Sequence, residues 1–107
     1  MVKLIGPNSI GEQYYKFYHN DKEYGSFRII NRCGHKEIWA FGIYNEKDRG
    51  KGLGQKMLKE CLNLLSGHIV ELGCLKNNDR ALHIYKKFGF TIIKDCGSYY
   101  WMRREVE

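Results

Sequence analysis

Arg49-Gly50-Lys51-Gly52-Leu53-Gly54 stands between two patterned segments. Before it, Ile38 to Tyr44 is an apolar run. After it, Leu53, Met57, Leu58, Cys61, Leu62 and Leu65 recur at helical spacing, with Lys56, Lys59 and Glu60 elsewhere. A strand therefore turns sharply into a helix. Glycine lets the backbone take positive φ and lets another molecule approach the main chain without meeting a Cβ. The opening N–H groups of the helix have no partner within it, and with the helix dipole they make an anion site. Arg49 and Lys51 add charge, so the stretch reads as a phosphate or diphosphate cradle. A purely structural turn and a nucleotide loop are the alternatives. A phosphate loop ending in lysine then serine or threonine is excluded, because Gln55 follows Gly54.

Outward from the cradle, Glu37 to Tyr44 is a strand with apolar residues in both alternating sets. Ile38 and Ala40 are expected on one face, with Trp39, Phe41 and Ile43 on the other, as in a central strand covered on both sides. Gly42 is expected to mark a bulge or a close backbone approach where the strand opens to admit a ligand. Upstream, Val2 to Ile5 reads as a short strand before a Gly6-Pro7-Asn8 turn. Gln13 to His19 and Tyr24 to Ile30 form a hairpin about Asn20-Asp21-Lys22. Downstream, Gly67 ends the helix and His68 to Leu75 is the next strand. Asn77 and Asn78 can cap a second helix with Asp79 in its first turn. Ala81, Leu82, Ile84, Tyr85 and Phe88 cover its inner side and Gly89 stops it. Thr91 to Lys94 and Ser98 to Arg103 are the last strands. The order predicts one α/β or α+β domain over residues 1–107 with a mixed sheet.

With 107 residues, 43% of them hydrophobic and 14% aromatic, the chain suits a compact domain and not a disordered one. Eighteen Lys and Arg against twelve Asp and Glu give +6, which favours an anionic partner: a phosphorylated cofactor, an acidic protein or a nucleic acid. The basic residues are scattered and the aromatics fall in strand patterns, which argues against nucleic acid. Cys33, Cys61, Cys74 and Cys96 form no CxxC pair and read as reduced thiols, not as a disulfide framework or a zinc site. Met1 to Ile10 does not read as a signal peptide and no apolar run is long enough to span a bilayer, so a soluble, cytoplasmic protein is expected, with no membrane partner.

Two motifs together carry a family resemblance. Arg49-x-x-Gly52-x-Gly54 is similar to the acyl-CoA pyrophosphate signature of the GNAT superfamily of N-acyltransferases. Asn78-Asp79-Arg80-Ala81-Leu82-His83-Ile84-Tyr85-Lys86-Lys87-Phe88-Gly89-Phe90 resembles its second signature, an Asn, an Ala three residues on, a Tyr four further and a closing Gly-Phe. The resemblance spans roughly Glu37 to Phe90. It implies a GNAT-like mixed, mostly antiparallel sheet with flanking helices, acetyl-CoA as acyl donor, no metal, and direct transfer to an amine in a ternary complex. Main-chain groups of Ile43 and Tyr44 would meet the pantetheine arm. The N–H groups from Arg49 or Gly50 through Lys51, Gly52, Leu53, Gly54 and Gln55 would hold the pyrophosphate. Asn78 would lie near the pantetheine, and Tyr85 near the thioester sulfur as the acid that protonates the leaving thiolate. Glu37 is the candidate base, about one residue from the register in which some relatives carry a glutamate.

Each role has a plainer counterpart. Tyr85 can be a core tyrosine and Glu37 a solvated residue opening a strand. His35 and His83 read as surface histidines, with a base acting through water as the other option, and Cys61 and Cys74 as core thiols. The departure from the family lies at the front. Relatives insert one or two helices between the first strand and the hairpin, whereas only Gly6 to Gln13 are available here, in a composition that opposes a helix. This missing first helical insertion implies an open acceptor side, suited to a protein lysine or a protein N-terminus, unless a homodimer rebuilds the wall. Tyr99, Tyr100 and Trp101 can line that groove, a dimer contact or the core. Two function classes follow: an acetyl-CoA-dependent N-acetyltransferase, or a non-catalytic module that binds CoA, a protein or a nucleic acid on the same fold.

Overall fold

The computed structural model of the chain describes residues 1–7 and 11–106. Along them run β1 (Val2–Pro7), β2 (Gln13–His19), β3 (Lys22–Asn31), β4 (Lys36–Ile43), α1 (Leu53–Leu64), β5 (Val70–Leu75), α2 (Asp79–Lys87), β6 (Thr91–Asp95) and β7 (Tyr99–Arg104), with a short 3-10 turn at Glu46–Asp48. The strands form one sheet in the order β1-β2-β3-β4-β5-β7-β6. Every neighbouring pair is antiparallel except β4 and β5. A parallel pair needs a crossover connection, and the cradle with α1 supplies it. The loop expected after β1 lies partly outside the described residues, and among those described no helix stands between β1 and β2.

Local chemistry accounts for the element ends. Asn20 and Asp21 sit at φ 52° and 64° between His19 and Lys22, as a two-residue hairpin turn of type I′ requires. Asn78 caps α2 by accepting the N–H of Ala81 at 3.1 Å. At the other end Gly89, at φ 95°, follows the cap residue Phe88. The N–H groups of Gly89 and Phe90 then donate to the carbonyls of Lys86 and Tyr85, both near 3 Å. These are the two bonds of a Schellman motif.

Met57, Leu58 and Cys61 of α1 are fully buried with Phe17, Phe27 and Ile29 of the hairpin and Val70 and Met102 of the far strands. On β5, Val70, Leu72 and Cys74 are buried in this core, while Gly73 and Leu75 are exposed between and beyond them. The two helices meet where Lys87 Nζ donates to Gln55 Oε1 at 3.4 Å.

β4 departs from strict alternation in a way that shapes the site. Ser26 pairs with Gly42 and Arg28 with Trp39, so two steps on β3 match three on β4, and β4 carries an extra residue. The irregularity is at Ala40, which takes φ 52°, and not at Gly42. The bulge changes the parity of the strand. Ile38 and Ile43, expected on opposite faces, are both core residues, while Trp39 and Ala40 are exposed. The close backbone approach expected of Gly42 belongs to its neighbour across the ladder: a Cβ on Gly25 would lie 2.5 Å from the Gly42 carbonyl oxygen, whereas one on Gly42 meets nothing within 4 Å. β4 pairs with β5 only from Lys36 to Ile38, so beyond Ile38 the two strands diverge and a gap opens in the middle of the sheet.

Candidate active site

The cradle closes one end of that gap. Gly50 and Gly52 both take left-handed φ, 83° and 80°, and Gly52 is the N-cap of α1 with no side chain to offer the helix. The first intrahelical bond runs from Lys56 N–H to the Gly52 carbonyl, so the N–H groups of Leu53, Gly54 and Gln55 have no acceptor within the helix. No acidic residue stands in this first turn, in contrast to Asp79 in α2. Arg49 ties the loop to the strand by donating from Nη2 to the Ile43 carbonyl at 3.2 Å. From α2, Arg80 lays its guanidinium over Gly50, where a Cβ would meet Nη2 at 3.1 Å. Bare N–H groups, glycine backbone and two guanidinium groups converge on one cavity of about 340 Å³. That donor set fits a diphosphate.

Ile43, Arg49, Gly50, Gly52, Gly54, Gln55 and Asn78, all read from the sequence as cofactor-binding, line this cavity. Tyr44, Lys51, Leu53 and Tyr85 do not. Leu53 is buried in the core, Lys51 is exposed, and the Tyr44 N–H already donates to the Tyr24 carbonyl at 2.9 Å. Arg80, Phe41 and Ile84 join the lining without having been singled out. For Arg80 the available signal was its place in the first turn of α2, beside the capping Asn78.

A second cavity, of about 410 Å³, opens between the diverging strands, lined by Trp39, Phe41, Gly73, Leu75, Tyr85, Tyr99 and Trp101 among others. Phe41 borders both cavities. Tyr85, 9% exposed, stands beside it with its ring edge-on to Phe41 and to Phe90, at 6.4 and 5.8 Å between centroids. Burial, with the neighbouring Cys74 and Cys61, pushes the Tyr85 hydroxyl well above its ordinary pKa. At neutral pH it is a protonated donor.

Beneath the second cavity lies a polar cluster that joins β4 to β5. Glu37 and Glu71, paired across the two strands, are nearly buried. Trp39 Nε1 donates to Glu37 at 2.9 Å, and Trp101 Nε1 donates to Glu71 at 2.5 Å. His35 Nε2 reaches both carboxylates, at 2.8 Å from Glu37 and 3.7 Å from Glu71. Arg32 pairs with Glu37 at 3.4 Å and Arg103 with Glu71 at 3.9 Å. His35 is thus half-buried and bridging, not the surface histidine the sequence suggested, whereas His83 is exposed. Burial drives the Glu37 carboxyl upward, but the hydrogen bonds of His35 and Trp39 and the charge of Arg32 outweigh it, so its pKa lies below the ordinary carboxylate value. Cys61 and Cys74 are buried, and burial raises both thiols away from the nucleophilic thiolate form. No described helix is long and apolar enough to cross a membrane.

Comparison with known proteins agrees with this geometry. The N-alpha-acetyltransferase RimI of Mycobacterium tuberculosis is 31% identical over 64 residues, a stretch that is 60% of this chain and 40% of that protein. Among solved structures, Escherichia coli ElaA superposes with a TM-score of 0.70 at 22% identity, covering 89% of this chain and 69% of its own. A GNAT family acetyltransferase from Elizabethkingia anophelis with acetyl-CoA bound gives 0.72 at 18% identity, covering 89% of this chain and 76% of that one. At such identities the likeness is one of fold. The acetyltransferase (GNAT) domain profile matches residues 11–92, which hold the cradle, the diverging strands and the helix of Tyr85, and the chain belongs to that family.

Proposed function

We propose that this chain is an N-acetyltransferase that moves an acetyl group from acetyl-CoA to a primary amine by direct attack in a ternary complex. The observation that carries the reading is the pair of cavities meeting at Phe41, one with a diphosphate cradle at its far end, the other open to an acceptor, and Tyr85 beside their common wall. Gly50 to Gln55 and the guanidinium groups of Arg49 and Arg80 would hold the diphosphate, and Asn78 and Ile43 would border the pantetheine arm. When bound, the thioester supplies an acyl carbon that a neutral amine can attack. A C–N bond forms as the C–S bond breaks. Tyr85 gives its proton to the departing thiolate and regains one from solvent.

The amine must lose its own proton. Glu37 is the proposed sink, held anionic by its partners. Both its oxygens already accept hydrogen bonds, so the proton reaches it through water. The open side of the sheet supports an acceptor presented by a larger molecule, a protein lysine or N-terminus, more than a small amine sealed in a pocket.

The test is thiol release from acetyl-CoA, followed with and without amine acceptors. Release that depends on an added amine and collapses in Tyr85→Phe supports the reading. An absence of amine-dependent release across peptide and small-molecule amines would overturn it in favour of a binding module.

A further inference from the structure

The acceptor cavity has a wall whose chemistry is specific. The chain has two tryptophans, and both stand in it. Trp39 and Trp101 meet with centroids 5.8 Å apart and planes tilted by 45°, forming an aromatic corner that Tyr99 extends. Each indole N–H is tied to a buried carboxylate, Trp39 to Glu37 and Trp101 to Glu71, and His35 bridges those two carboxylates. Both rings are therefore held by their polar edges. Gly73 makes room for them: a Cβ there would lie 3.3 Å from Tyr99 and 3.5 Å from Trp101. Trp39 remains 44% and Tyr99 38% exposed, so ring surface faces the open cavity.

Resting on the acetyltransferase reading above, we propose that this corner is the acceptor port and that it selects an aliphatic ammonium on an unbranched methylene stem, a lysine side chain and not a protein N-terminus. The carboxylates behind the corner are already paired with Arg32 and Arg103 and contacted by His35, so they fix the rings and leave the indole faces to attract the cation. Indole is the strongest of the aromatic side chains in that role. The stem is selected by the rest of the lining. Ile38, Phe41, Leu72 and Leu75 are apolar, and both indole N–H groups are engaged. An N-terminal amine brings a side chain and a peptide group on the carbon next to nitrogen, a branch that the corner of two indoles and Tyr99 has to accommodate beside the cation. A methylene stem carries no such branch.

The experiment compares two acceptor peptides of equal length, one with a blocked N-terminus and a single lysine, the other with a free N-terminus and no lysine. It is run on enzyme carrying tryptophan and on enzyme grown with mono-, di- and trifluorotryptophan, which alters only positions 39 and 101. The expected result is preference for the lysine peptide, with KM rising stepwise with fluorination, about tenfold in all, while kcat changes little. Trp101→Ala should raise KM by a similar factor and Trp101→Phe should recover most of it. Preference for the free N-terminus, or a KM indifferent to fluorination, overturns the inference while leaving the acetyltransferase reading intact. Transfer to neither peptide nor to any small amine overturns both.

Discussion

The main-chain N–H of Phe90 donates to the carbonyl of Tyr85 at 3.0 Å, and the two rings meet edge-on at 5.8 Å. The last turn of α2 thus fixes the residue that borders the second cavity. Gly89 allows this closure through its φ of 95°, and an added Cβ would meet only ordinary contacts with Arg104 from 3.6 Å outward. Gly89→Ala should therefore cost about 1 kcal/mol through backbone strain alone. Denaturant unfolding checks it, and an unchanged midpoint would show that the cap does not constrain the helix end.

Tyr85→Phe keeps the ring between Phe41 and Phe90 and removes the hydroxyl. Turnover should fall roughly a hundredfold, the scale of general acid catalysis, with acetyl-CoA binding retained. Because burial raises the Tyr85 pKa above its ordinary 10.0, any alkaline loss of rate due to its ionisation should lie above pH 10. A steady-state pH profile of kcat reads this directly.

Gly52 and Gly67 form a matched pair. Their φ values are 80° and 83°, and a Cβ on either meets nothing within 4 Å. Only Gly52 faces the cradle cavity. Both alanine substitutions should lower stability by about 1 kcal/mol. Gly52→Ala should also weaken acetyl-CoA binding at least about tenfold, whereas Gly67→Ala should leave it unchanged. Equilibrium binding of the two variants separates backbone strain from loss of the anion site.

Glu37 sets a pH dependence whose sign follows from its depressed pKa. Its ordinary value is 4.5, and in the folded chain His35, Trp39 and Arg32 favour the carboxylate. Its contribution to stability is present in full above pH 4.5 and is lost as pH falls through the lower folded value. The stability gap between wild type and Glu37→Gln should thus be widest near neutrality and narrow on acidification below about pH 4.5. Urea midpoints across pH 3 to 7 test it, and a gap that widens on acidification would refute the assignment.

Much of this arrangement is local and could be read directly. Gln13 to His19 emerges with the ends its residues implied, Asn78 caps as its side chain can, and the glycines of the cradle turn strand into helix. What escaped reading is non-local or runs against propensity. Ala40 takes φ 52° although alanine has no preference for it, so composition points to Gly42 for a bulge or a close approach, and plain alternation puts Ile38 and Ile43 on opposite faces. The His35, Glu37 and Glu71 cluster exists only because parallel pairing brings β5 beside β4, and no spacing in the sequence encodes that neighbourhood. Arg80 reaches the cradle from a different helix for the same reason.

The central claim is that the cavity behind Gly50 and Gly52 holds the diphosphate arm of an acyl-CoA, and a thermal shift with acetyl-CoA, CoA and ATP in parallel tests it most directly. A ligand present at 100 times its Kd stabilises the fold by about 2.7 kcal/mol. The account predicts a rise in midpoint with acetyl-CoA and with CoA, little with ATP, and a clearly smaller CoA response in Gly52→Ala. Equal stabilisation by ATP, or no stabilisation by either acetyl-CoA or CoA, would contradict it.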